Sequence, residues 1–182
     1  MSDIEAYSII TADINFSLIS TEDSGNTNTE TSSINYEFEF ADGSGIGEID
    51  YAVSVSGNLA ANSGYNFNFQ QFPKSYFGLV SAVNFDTIKG IIVKNLGATI
   101  GSNLNIHATG SYAFTGIFNN NNTGNYLIKP SGVWLFTDVM SGVKVTANHN
   151  YLTLKNVSST GIDWRMTVVG TTGNITGNFS YS

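Results

Sequence analysis

Between residues 34 and 40, Ile34, Tyr36, Phe38 and Phe40 stand in strict alternation with Asn35, Glu37 and Glu39. A period of two puts successive side chains on opposite faces of an extended strand, one apolar and one polar. Ile49, Tyr51, Val53 and Val55 repeat the pattern, as do Tyr65, Phe67 and Phe69, and then Leu104 and Ile106 against Asn103, Asn105 and His107. Segments 132–138, 143–146, 151–156 and 164–170 follow at intervals of about ten residues, with Gly, Asn, Ser and Asp between them. Residues 14–19 open the series and 175–181 close it, while 83–95 is more continuously apolar, as in a strand buried on both faces. No segment carries a convincing 3.6-residue period. The expectation is an all-β chain of about eleven strands with no substantial helix, arranged as a jelly-roll-like antiparallel β-sandwich.

With 182 residues the chain suits one full core. The alternation divides it into an N-terminal strand with an acidic polar loop or arm (1–33), a sandwich body (34–170) and a C-terminal strand or tail (171–182). Within the first part, "STEDSGNTNTETSS" (20–33) has no large apolar side chain and is expected as an exposed loop or a flexible linker. Cysteine is absent, which removes disulfides, thiolate nucleophiles and Cys-based metal sites. "MSDIEAYSII" lacks the basic and long apolar regions of a secretory signal, so folding in a cytoplasm is expected. No apolar run reaches the ~18 residues of a membrane-spanning helix, and no membrane partner is expected.

Charge is unevenly spread. Eleven of the 14 acidic residues lie in positions 1–50, and the first basic residue is Lys74. Folding could bring the acidic and basic halves together, or the acidic half could reach a basic neighbour outside its own domain. The second reading makes Asp42, Glu48 and Asp50, together with Glu37 and Glu39, the candidate interaction residues. A net charge of -7 without a basic stripe disfavours nucleic acid as partner.

Motifs that would carry chemistry fail on their spacing. Gly43-Ser44-Gly45-Ile46-Gly47 has Glu48 where a dinucleotide fingerprint needs its third glycine, and strand pattern rather than helix follows. As a calcium loop it begins with Asp42 and Ser44 but puts Ile46 and Val53 at ligand positions. Glu37 and Glu39 share a strand face about 7 Å apart, within glycosidase range, yet neighbours on one polar face do not flank a sugar from two sides. His107 and His149 have no partner at metal-ligand spacing and are expected at the surface; Trp134 and Trp164, set among apolar neighbours, are expected as core anchors. No catalytic residue, metal or cofactor is expected.

Three segments taken in order resemble a known family. "FADGSGIGEIDYAVSVSGNLAA" is similar to its strand, glycine-rich turn, acidic residue and strand leading to an "LAA" turn. "VNFDTIKGIIVKNLG" is similar to its F-x-x-I/V-K-x-I-x-I-x-N run. "LIKPSGVWLFTDVMSGVKVTANHNYLTLKNVSSTGIDWRMTVVG" is similar to its turn, apolar strand, G-x-x-V-T-A, L-x-L-x-N strand and closing V-x-x-G. Together they resemble the small all-β virion structural proteins of tailed bacteriophages. The resemblance implies a non-enzymatic virion protein assembled in the host cytoplasm, a homo-oligomer whose partners are other virion proteins. A capsid decoration protein on the major capsid protein is the first placement implied. A tail or neck protein, including a receptor- or glycan-binding sandwich, is the alternative.

Overall fold

A computed structural model describes residues 8–21, 27–76, 79–108, 110–118 and 124–172. Two antiparallel sheets form the body. The first joins β4 (Tyr51–Leu59), β8 (Phe85–Asn95), β11 (Val133–Thr137) and β14 (Ile162–Thr172) in the order β11-β8-β14-β4, with β12 (Val143–Lys144) also on β8. The second joins β5 (Gly64–Asn68), β9 (Leu104–His107), β10 (Asn125–Ile128) and β13 (Tyr151–Asn156) in the order β10-β9-β13-β5. The chain crosses between the sheets from β4 to β5, back to β8, over to β9 and β10, and then to β11, β13 and β14. That is the two-sheet winding of a jelly roll.

The two-residue period explains which face closes. Ile162, Trp164, Met166 and Val168 of β14 are buried while Asp163 and Arg165 are exposed; Leu104 and Ile106 of β9 are buried while Asn103, Asn105 and His107 alternate with them. These inner rows meet between the sheets with Phe67, Phe72, Phe85 and Leu154 in one core. Each such side chain contributes roughly 1.5–3 kcal/mol on burial. Trp164 lies edge-on to Phe67 with ring centroids 5.3 Å apart, so it anchors the core as expected. Trp134 is only half-buried and packs at the core's margin.

Strands number fourteen among the described residues, more than the alternation reveals. The segment 49–55 divides into β3 (Glu48–Ile49) and β4, and three further strands, β6 (Phe72–Tyr76), β7 (Leu79–Val83) and β10, carry no strict alternation. Two short 3-10 turns, Phe69–Gln71 and Thr115–Phe118, are the helical elements among the described residues. Of the stretch 20–33, expected as loop or linker, residues 20–21 and 27–33 instead lie in strands, and 22–26 lie outside the described residues. β1 (Ser8–Thr21) and β2 (Thr27–Asp42) form an antiparallel ladder that pairs Ser8 with Phe40 and Thr21 with Thr27. Thr27, Thr29 and Thr31 have strand propensity without hydrophobicity, so a polar ribbon forms where burial patterning is silent. β14 runs two residues past the expected end of the body at 170. The expected strand 175–181 and loop tip 119–122 lie outside the described residues.

Two buried asparagines pin the ends of strands. The Asn156 amide donates to the Leu59, Ala60 and Thr160 carbonyls at 3.0, 3.0 and 2.7 Å, and its Oδ1 accepts from Ser158 N at 2.8 Å. The Asn95 amide donates to the Ser102, Ile128 and Lys129 carbonyls at 2.7, 3.1 and 3.2 Å. Removing such a group leaves buried carbonyls without donors. Asn156→Ala is therefore expected to lower the unfolding free energy by about 3 kcal/mol in denaturant melts, against under about 0.5 kcal/mol for the exposed Asn58→Ala.

Candidate functional site

The glycine segment 43–47 is a turn seated on the outer face of the first sheet. The period of two puts Val169, Ile92 and Leu135 on that face, because their neighbours Val168, Ile91, Val93, Trp134 and Phe136 belong to the inner core. Phe40 at the end of β2 and Ile49 in β3 bury themselves against them, with Val139 alongside. β2 and β3 pair in parallel, Ala41 beside Glu48 and Asp42 beside Ile49. This second, smaller core makes β8 apolar on both sides, as the sequence pattern requires.

A bulge supplies the fastening. Val169 pairs with Gly90 but Gly170 pairs with Ile88, so Lys89 is the extra residue on β8. A bulge re-aims the side chain it inserts. Here the Lys89 side chain, 3% exposed, sends its Nζ to the Gly45 carbonyl at 2.9 Å and the Met140 carbonyl at 3.3 Å. The opposing residue must be glycine, since a Cβ at Gly170 would meet the Thr87 carbonyl and sit 3.2 Å from Ile88 Cα. Gly47 N–H donates to the Val139 carbonyl at 2.9 Å, and Gly43 and Gly47 take φ of +139° and +72°. Those φ values are why glycine stands at both positions.

The candidate carboxylates divide into two groups. Glu48 folds back to accept from Gly45 N–H at 2.7 Å, and Asp50 accepts from Thr172 N–H and Oγ1 at 2.7 and 2.9 Å. Glu48 thereby closes the turn on itself, and Asp50 fastens the chain after it to the end of β14. Glu37, Glu39 and Asp42 are exposed. Because Phe40 is buried against the body, Glu39 and Glu37 stand on the opposite side of β2, facing away from it. One row beyond Ile92 on the outer face, Lys94 pairs directly with Arg165 across the ladder and with Val133 on its other side. Lys94 and Arg165 are exposed, and neither forms an ion pair among the described residues.

The remaining candidates lie apart from this junction. His107 is half-buried on the outer face of the second sheet, and its Nε2 has no hydrogen-bond partner. Burial, helped by the Lys155 ammonium, holds its pKa below the ordinary 6.5. His149 is exposed, with Nδ1 3.2 Å from the Ala113 carbonyl, and borders a cavity of about 210 Å³ with Phe114 and Lys144. A second cavity of about 260 Å³ lies beside the turn, bordered by Ser44, Lys89, Ser141 and Thr171. No group of three or more His, Asp or Glu gathers at metal-binding distance among the described residues. An aromatic row, Phe118–Tyr126–Trp134–Phe136, with centroid spacings of 5.3, 5.5 and 6.5 Å, bridges the edge strands β10 and β11.

Fold and junction together define a jelly-roll protein that carries an acidic two-stranded arm on a bulge-locked root. No protein-family model and no curated protein matches the chain. Among solved structures it is similar to the Cnp3 cupin domain of Schizosaccharomyces pombe, at 12% identity over 87% of this chain and 83% of that one, with a TM-score of 0.34.

Lys89→Met is expected to lower stability by about 2 kcal/mol, since hydrogen bonds from a charged donor are lost, and to speed amide exchange at Gly45 and Gly47. His107 makes a separate pH signature. A group whose pKa is depressed by folding stabilises the protein above its unfolded value and costs stability as the pH falls through the folded one. Thermal melts between about pH 7 and about pH 5 are therefore expected to be less steep in His107→Gln than in the parent protein.

Proposed function

We propose that this chain is a non-enzymatic structural protein of a tailed-bacteriophage virion, carried on the assembled capsid as a decoration protein. The observation that supports it is where the three family-like segments meet. Lys89 of the second segment holds the Gly45 carbonyl of the first and the Met140 carbonyl of the third. The three segments that carry the resemblance thus share one contact in the fold. A jelly roll with an acidic arm also offers partners a patterned sheet face and a strand edge, the surfaces that strand addition and interface formation use. The partners under this reading are the major capsid protein and other copies of the chain.

An electron-microscopy map of particles that contain the chain tests this placement. Density distributed over the head lattice is the expected outcome; absence from purified particles overturns the reading. A tail or neck position is the second reading, favoured by the aromatic row in which Tyr126 is 44% exposed. Flat apolar rings of that kind stack on saccharides. If that reading is right, a glycan array gives hits that Tyr126→Ala abolishes, and the density sits at the neck or tail.

A further inference from the structure

We propose that the cavity beside the glycine turn is a binding site for phosphate, with the Lys89 ammonium as its fixed positive charge. An ammonium carries three N–H donors, and this one has two acceptors, the Gly45 and Met140 carbonyls at 2.9 and 3.3 Å. No other hydrogen bond or ion pair reaches it among the described residues. Lys89 is 3% exposed, so one donor and a full positive charge stand without an anion where water hardly reaches. Carbonyl dipoles replace part of its hydration but do not neutralise it, and buried charges are otherwise paired.

The cavity is equipped for an oxyanion. It measures about 260 Å³, many times the ~10–15 Å³ that one water needs. Apart from the lysine, the polar side chains that border it are hydroxyls: Ser44 from the turn, Ser141 from the loop after Met140, and Thr87 and Thr171, which pair across β8 and β14. Thr87 leans on the Asp86 carboxylate at 3.4 Å, whereas the hydroxyls of Ser44, Ser141 and Thr171 make no hydrogen bond among the described residues. A hydroxyl proton rotates to suit its acceptor. Donors therefore come from the turn, the loop and the sheet, which suits the four oxygens of phosphate better than the two of a carboxylate.

The carboxylates nearby are engaged elsewhere. Glu48 accepts from Gly45 N–H at 2.7 Å, and Asp138 accepts from the Met140 and Ser141 N–H groups at 3.2 and 3.0 Å. No Asp or Glu borders the cavity among the described residues. The net charge of -7 opposes an anion mainly over distances that physiological salt screens. Phosphate seated here joins the turn, the loop and the end of β14 through one ion, adding to the hold that Lys89 already has on the first two. The inference concerns the purified chain alone and does not rest on a virion role.

Titration of the full chain with inorganic phosphate tests it, read by amide chemical shifts and thermal melts against sodium chloride at matched ionic strength. The expected result is saturable shifts at Gly45, Ser141 and Thr171, with a rise in melting temperature that chloride does not give. Lys89→Met should abolish both. Because that variant also loses stability, Ser44→Ala/Ser141→Ala provides the second arm: both positions are exposed, and the lysine keeps its two carbonyls. The double variant should melt as the parent does without phosphate and bind phosphate more than about tenfold more weakly. Acetate should bind the parent more weakly than phosphate, and Lys94→Met, on the exposed sheet face, should bind phosphate as the parent does. Shifts that do not saturate, equal effects of chloride or acetate, or undiminished binding in the serine double variant overturns the inference.

Discussion

The Lys89 ammonium is the contact on which the outer half of this structure depends. It lies almost out of reach of water and rests on two backbone carbonyls from turns far apart in sequence, Gly45 and Met140. A buried cation is tolerated only where polar groups replace its hydration, so the turns and the lysine hold one another in place. The cost of leaving it unpartnered is what keeps the glycine turn down. Without the bulge at Lys89, strict alternation along β8 would have sent this side chain into the apolar core.

That fastening makes the two sheets unequal. The first is covered on its outer side by Phe40, Ile49 and Val139, which explains why β8 reads as apolar throughout. The second keeps a polar outer side, where Asn103 just before β9 and Asn105 and His107 within it alternate with buried Leu104 and Ile106. A jelly roll whose strands were all half-buried would show alternation everywhere. The long apolar run at 83–95 marks a strand against whose outer side the root of the arm packs.

Much of the body was legible because burial writes itself into a period of two. β14 and β9 follow from their side chains alone, as does the absence of any α-helix from the described residues. What escaped had no apolar signature. The ribbon at 27–33 is built from threonine, serine and asparagine, whose strand preference is too weak to separate from a loop without a partner strand in view. β3 is a two-residue pairing that splits from the expected segment 49–55. The site was legible only as a segment: the Gly43–Gly47 turn was recognisable, and the failure of its ligand motifs was too. Lys89, its actual anchor, looked like one lysine in an apolar run, because a bulge depends on register between strands and register is not a local property. Asn95 and Asn156 close two strands with the same Lys-Asn pair, a repetition that could have pointed to their role.

The acidic half of the chain therefore does two different things, and geometry separates them. Glu48 and Asp50 sit at the turn, where backbone N–H groups face inward, and their charge is absorbed within the subunit. Glu37 and Glu39 sit on the exposed side of a strand whose opposite face is committed to burial. The net charge of -7 is consequently concentrated on an arm rather than spread as a field around the sandwich. At physiological salt, exposed charges are screened beyond about 8 Å, so the arm acts by contact and not by long-range attraction. Only a surface that meets it side chain to side chain can use that charge.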